Sequence, residues 1–183
     1  MSKTSTIIQR ILAPVPYAIV GGYTRDMLLG IPSADIDIAI QCPPTHTIHL
    51  LQKAGIGYNT KGAAFGSITA DIMGKIVDIT SLRTEVYKKP RFPRIRFTQC
   101  WKKDALRRDF TINALYLING KIYDPTGLGL CDIKTRTLRF IGDPVARLKE
   151  DPSRLQRYHR LLQQKGLTPG HVDLLKNTPS AII

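Results

Sequence analysis

The stretch from Tyr17 to Ile40 limits what this chain can fold into more than any other. Tyr17-Ala18-Ile19-Val20 is short, apolar and rich in β-branched residues, so it predicts a buried strand. Gly21 and Gly22 then remove side chains where backbone must come close to something. Thr24 to Leu29 predicts a helix. A glycine pair ahead of a helix N-terminus offers free N–H groups and the positive end of a dipole, a setting that suits a phosphate. Arg25 adds a charged fork in the first turn. Asp35 and Asp37 fall at i and i+2 of a strand through Ile36, Ile38 and Ile40, and strand periodicity puts both carboxylates on one face. Two such acids repel unless a cation sits between them, and hard oxygen ligands favour Mg²⁺, which in turn holds phosphate oxygens. Each piece alone has a plainer reading, the glycines as a turn and Asp-x-Asp as a solvated strand edge. Their order along one chain is not explained by scaffold alone.

Charge narrows the partner. The chain carries 27 basic against 14 acidic residues, a net of +13, so an anionic partner such as RNA or a nucleotide is expected. With some acids committed to the site, the outer surface is expected to be more basic still. At 183 residues and 43% apolar, one domain with a core is expected. No apolar run approaches the roughly 20 residues needed to span a bilayer, and no amphipathic anchor or signal-peptide apolar region stands out. Cys42, Cys100 and Cys131 lack ligand or redox spacing and read as free thiols of a reducing, cytoplasmic compartment. His46 and His49 lie at i, i+3 on a helix, which is too little for a metal site.

Further along, Ser5 to Leu12 predicts a short helix, and Cys42-Pro43-Pro44 a break. Thr45 is expected to cap a helix through Lys53. Phe65 to Ala70 and Lys75 to Thr80 predict strands around a hairpin turn at Asp71-Ile72-Met73-Gly74. Glu85 to Pro93 is polar, basic and proline-broken, and reads as a mobile loop. Asn119-Gly120 is a two-residue hairpin signal, and Asp124-Pro125-Thr126-Gly127 another turn. Helix is expected from Pro144, and little anchors Gly166 to Ile183.

Three segments carry a resemblance. The run from Ala18 to Asp37, the run Asp104-Ala105-Leu106-Arg107-Arg108-Asp109-Phe110-Thr111-Ile112-Asn113-Ala114-Leu115, and the run Glu150-Asp151-Pro152-Ser153-Arg154-Leu155-Gln156-Arg157 resemble, in order and spacing, the motifs of class II tRNA nucleotidyltransferases and bacterial poly(A) polymerases. The match runs from about Tyr17 to about Leu167. It implies an α+β fold, a polymerase-β-like head with a mixed sheet and flanking helices, and template-independent addition of nucleotides to RNA 3′ ends. It also implies that Asp35 and Asp37 bind the metals. Asp78 stands where the family usually shows Glu and is the candidate third carboxylate.

By the same resemblance Gly21, Gly22 and Arg25 serve the nucleotide. Arg107, Arg108 and Asp109 hold its sugar and phosphates, with Asp109 accepting from a ribose hydroxyl, while Asp104 and Asn113 orient the segment. Asp151, Arg154, Arg157 and Arg160, spaced by three, make a slowly drifting helix face. The resemblance makes them the selectors of the incoming base, with Asp151 and Arg154 forming a planar edge and Glu150 orienting it. Residues 1–143 are expected to be the catalytic head. Residues 144–183 are expected to be a helical extension like the start of the family's neck, with body and tail absent. The expected activity is Mg²⁺-dependent transfer of CMP or AMP from CTP or ATP to a tRNA 3′ end, aided by a partner chain or self-association. The rivals are a nucleotide-binding head with little activity alone, and an RNA-binding module without catalysis.

Overall fold

In the computed structural model, which describes residues 3–33 and 35–170, the chain runs α1 (Lys3–Leu12), β1 (Tyr17–Val20), α2 (Gly22–Leu29), β2 (Ile36–Ile40), α3 (Pro44–Lys53), β3 (Tyr58–Asn59), β4 (Ser67–Ile72), β5 (Lys75–Ser81) and β6 (Arg83–Lys89). It continues through β7 (Phe92–Phe97), α4 (Trp101–Leu106), β8 (Tyr116–Ile118), β9 (Lys121–Tyr123), α5 (Gly129–Lys134), β10 (Thr137–Leu138), α6 (Pro144–Glu150), α7 (Ser153–Lys165) and β11 (Thr168–Pro169). Seven strands form one mixed sheet in the order β3-β4-β5-β2-β1-β8-β9. Its one parallel contact joins β2 to β5; the other neighbours are antiparallel. The α+β class and mixed sheet read from the sequence are what the chain adopts.

Alternation decides what each face carries. Ile36, Ile38 and Ile40 of β2, Val77 and Ile79 of β5, and Ile68, Ala70 and Ile72 of β4 point to one side. There α1 (Ile8, Ile11, Leu12) and α3 (Leu50, Leu51) cover them. Each buried aliphatic side chain of this kind is worth about 1.5–3 kcal/mol. The other side holds Ala18, Val20 and Ala39 against Ala105 of α4 and Tyr116 of β8. The polar members of β2 and β5 share that second side, where Asp37 pairs in register with Asp78. A third apolar cluster joins Phe110, Ile112, Leu138 and Phe140 to Leu148, Tyr158 and Leu161, so α6 and α7 share a core with residues earlier in the chain. Phe110 meets Phe140 edge-on with centroids 4.8 Å apart, and Phe140 stacks on Tyr158 at 5.3 Å.

Two hairpin turns follow the sequence reading. Met73-Gly74 and Asn119-Gly120 both take positive φ at each residue, as a two-residue turn between twisted strands requires. Three expectations are corrected. Thr45 is not the cap of α3: the helix starts a residue earlier, with Pro44 in its first turn, where a missing N–H costs nothing. Glu85 to Pro93 is not a loop but most of a hairpin in which β6 pairs antiparallel with β7. Its order comes from a distant contact, because Glu85 is held by Arg107 as well as by Arg83 and Tyr87. The chain after Gly166 is anchored as far as residue 170: Leu167 is buried, and β11 pairs parallel with β10. Residues 171–183 of that expectation lie outside the described residues. Among the described residues no helix is long and apolar enough to cross a membrane.

Candidate active site

The glycine turn and the first acid pair meet as the sequence implied. Gly21 caps α2 with φ 73 and ψ −137, a conformation that side chains other than glycine's strongly disfavour. A Cβ built there would lie 2.9 Å from Asp37 Oδ2, so the bare backbone makes room for the carboxylate. Gly22 is less constrained, its nearest neighbour being the Arg25 guanidinium at 3.6 Å. Gly21→Ala is therefore expected to cost roughly 1–3 kcal/mol through backbone strain and to displace the Asp37 carboxylate, while Gly22→Ala stays near neutral. Thermal melts of the two variants side by side check this, and equal melting temperatures would contradict it.

Asp35 does not lie on the strand itself. It precedes Ile36, the first residue of β2, and is exposed, yet it lines the same cleft as Asp37. Asp78 stands next to Asp37 across the parallel β2–β5 pair, on the same face, and takes a 2.6 Å hydrogen bond from the Thr69 hydroxyl. It is outside the cleft's lining. Burial pushes the Asp37 carboxyl above the usual range. Arg108 opposes that shift, Asp78 and Asp35 add to it, and Arg25 opposes it. The proximity of these acids is what a cation would relieve. Among the described residues no three His, Cys, Asp or Glu side chains gather tightly enough to form a ready-made metal cluster. The donors are hard oxygens with a shared repulsion, and that chemistry fits a divalent cation such as Mg²⁺ at Asp35 and Asp37.

The cleft, about 480 Å³, is bounded by Gly21, Gly22, Asp35 and Asp37 on the sheet side and by Arg157, Arg160, Gln164 and Lys165 of α7 opposite. Arg25, Asp26, Arg108, Asp109 and Asn113 also line it. A chain of hydrogen bonds ties these walls together. Lys165 Nζ donates to Asp26 Oδ2 at 3.1 Å and Arg25 Nε to Asp26 Oδ1 at 2.8 Å. Arg25 reaches Asn113 Oδ1 at 2.8 Å, and Asn113 Nδ2 donates to Asp109 Oδ1 at 3.0 Å. Arg157 closes the chain on Asp109 Oδ2. Arg160 is exposed and makes no ion pair with any described residue, which leaves its fork free for a phosphate. Sequence reasoning missed Asp26, Ser33, Gln164 and Lys165. The signal for Gln164 was its place seven residues after Arg157 on the same helical face.

Asp104 orients the arginines, as expected. It is fully buried and accepts from Arg107 Nε (2.8 Å), Arg108 Nη2 (3.0 Å), the Tyr116 hydroxyl (2.7 Å) and the Arg83 amide (3.1 Å). Burial works against its charge, but Arg108 and Arg107, helped by Tyr116 and the Arg83 amide, hold the carboxyl down to about 2. Of the two arginines only Arg108 lines the cleft. Arg107 turns toward Asp104 and Glu85. Asp151 and Arg154 do not line the cleft, and Asp151 does not share the helix face of Arg154, Arg157 and Arg160, because it ends α6 in an extended conformation before α7 begins. Arg154 is 4% exposed and bonds to Glu150 and to the carbonyls of Arg147 and Arg107. Asp151 accepts from the Ser153 amide and hydroxyl and from Arg91.

A family model for the poly(A) polymerase head domain matches residues 17–139, which take in the glycine turn, the three acids and the Asp104 hub. The chain belongs to the poly(A) polymerase head-domain family. Within this family it is 38% identical over 157 residues to the mitochondrial CCA tRNA nucleotidyltransferase 1 of Mus musculus, covering 85% of this chain and 36% of that protein. It is 39% identical over 150 residues to the CCA-adding enzyme of Bacillus pumilus, covering 80% and 36%. The crystal structure of the Bacillus stearothermophilus CCA-adding enzyme in complex with CTP superposes with a TM-score of 0.84 at 27% identity, over 98% of this chain and 45% of that one. This head-domain chain thus spans a little over a third of the length of the curated relatives it matches.

Proposed function

We propose that this chain is the catalytic head of a tRNA nucleotidyltransferase, which transfers CMP or AMP from CTP or ATP to a tRNA 3′ end with Mg²⁺. The observation that carries the reading is the pair of carboxylates Asp35 and Asp37 at one wall of a cleft whose other wall is cationic, with Asp78 in register beside Asp37 but outside the lining. Similarity to CCA-adding relatives supports the choice of tRNA and of these two nucleotides. In this reading residues 1–143 are the head, and residues 144–183 an extension whose α7 supplies the cationic wall. The free thiols fit a cytoplasmic setting.

Asp35 and Asp37 would hold the cation, which supplies charge neutralisation and a lowered pKa for an attacking 3′-hydroxyl. The chain's own residues do the positioning. Arg160 and the α2 N-terminus take triphosphate oxygens, Arg108 adds a further cation to the cleft lining, and Asp109, fixed by Asn113 and Arg157, presents a carboxylate to the ribose. Cationic walls of this kind stabilise charge that builds on the transferred phosphoryl group. The deciding experiment incubates the protein with labelled CTP or ATP, Mg²⁺ and tRNA lacking its 3′ end. Label in tRNA supports the reading, and the absence of transfer with or without a second chain added would overturn it.

Base choice gives a separate prediction. The family resemblance assigns base choice to Arg154, whose fork must leave Glu150 and the Arg147 and Arg107 carbonyls to meet a base. On that assignment Arg154→Ala is expected to blur CTP against ATP by a factor of about 5 to 150, the equivalent of ~1–3 kcal/mol for a lost hydrogen-bonding group. Arg25→Ala should instead weaken all four triphosphates alike. Competition binding with the four triphosphates reads both, and an unchanged preference in Arg154→Ala would rule out its part in base selection.

A further inference from the structure

The geometry points to the outer face of the β6–β7 hairpin as a docking surface for single-stranded RNA, with Phe92 stacking on a base and Lys88, Lys89, Arg94 and Arg96 taking phosphates. The assignment deepens the function proposed above and rests on it for the choice of RNA as the polyanion. The hairpin holds one acid, Glu85, and the pairing register sends that acid inward. Glu85 pairs with Ile95, and its carboxylate is taken up by Arg83, Arg107 and the Tyr87 hydroxyl. On the opposite face Thr84 pairs with Arg96 and Val86 with Arg94. Arg94 and Arg96 are two residues apart on one strand, so they point the same way about 7 Å apart.

Lys88, Lys89, Arg94 and Arg96 are all exposed, and none makes an ion pair with any described residue. Phe92, paired with Lys89 at the hairpin end, is 72% exposed. Cations along a two-stranded hairpin also guard its edges against pairing with other chains. That role does not account for an exposed aromatic ring among them, whereas an aromatic platform inside a basic patch is how single strands are held without sequence preference.

The surface is also held in place before any strand arrives. The Arg91 amide donates to the Glu150 carbonyl at 2.9 Å, and its guanidinium reaches Asp151. Ordering of this kind lowers the entropic cost of binding. The hairpin lies beside the cleft, because Arg107 grips Glu85 while its neighbour Arg108 lines the cleft.

The test measures binding, which does not depend on transfer. Fluorescence anisotropy with a labelled oligouridylate across a salt series should give a slope that falls by about 1.4 in the double variant Arg94→Gln/Arg96→Gln, as two lost phosphate contacts require. Phe92→Ala should weaken oligouridylate binding about tenfold and leave binding of inorganic polyphosphate unchanged. CTP binding should be the same in all variants. Photocrosslinking of 4-thiouridine RNA to the unaltered protein should place adducts within residues 86–97. An unchanged slope, an unchanged affinity in Phe92→Ala, or adducts only outside that segment would overturn the assignment. Failure of the tRNA labelling assay alone, with these binding results intact, would overturn the proposed reaction and not this surface.

Discussion

Asp37→Asn is expected to lower nucleotidyl transfer by at least about a thousandfold, some 4 kcal/mol of barrier, and to raise the melting temperature of the metal-free protein at neutral pH. The two effects share one cause. Asp37 is partly buried, beside Asp78 on the neighbouring strand and near Asp35, and burial together with these two acids lifts its carboxyl above the ordinary value despite Arg108 and Arg25. A carboxyl raised on folding favours the folded state most below its unfolded value near 4. That contribution is lost as pH rises through the folded value. At pH 7 the apo protein therefore carries a charged group that it would hold more easily neutral, and asparagine removes that cost. The gain in the variant should shrink as pH falls toward 4. Added Mg²⁺ should stabilise the natural protein and not the variant. Melts at two pH values, with and without Mg²⁺, read all of this, and a variant less stable than the parent at pH 7 would contradict it.

Asp104→Asn should give the largest loss of stability. A buried carboxylate that anchors two guanidiniums, a phenol and an amide leaves charged donors without a partner when it is neutralised, at a cost of about 3 kcal/mol or more. For a chain of this size that is a fall of roughly 6–12 °C in melting temperature. The pH dependence runs opposite to that of Asp37. The folded carboxyl is held down to about 2, so its stabilisation is present above the unfolded value near 4 and is lost as pH falls toward 2. The gap between parent and variant should thus be wide at pH 7 and narrow at pH 3. Urea unfolding at both values measures it, and a gap equally wide at pH 3 would remove the charge argument. Transfer should fall too, because Arg108 loses the anchor that aims it along the cleft.

What the sequence disclosed depended on how far each contact reaches. Gly21 and Asp37 were legible because turn and strand geometry act over a few residues, whereas Asp35 sits one residue ahead of the strand that alternation assigned it to. Asp109, Arg157 and Arg160 were reached through the family resemblance, and they line the cleft. The hairpin of β6 and β7 was misread because its order depends on Arg107, far along the chain, gripping Glu85, and no local window contains that bond. Asp26 escaped notice for the same reason: its partner Lys165 lies at the far end of α7. Arg154 shows the reverse limit. Its helical spacing holds with Arg157 and Arg160 on α7 but not with Asp151, which ends α6, and its fork is occupied by Glu150 and two backbone carbonyls, which spacing could not reveal.

The parallel pairing of β2 with β5 also makes the site a check on its own assembly. Asp37 and Asp78 are about forty residues apart in sequence and become neighbours only when those two strands align. A slip of one residue would turn every side chain of β5 over. It would drive Asp78 into the layer of isoleucines beneath α1 and α3, and lift Val77 and Ile79 into water. No partly correct alignment offers both a dry core and a pair of facing carboxylates. Loss of the apolar layer penalises the wrong register before chemistry is attempted, so a chain that presents the facing carboxylates has already aligned these two strands.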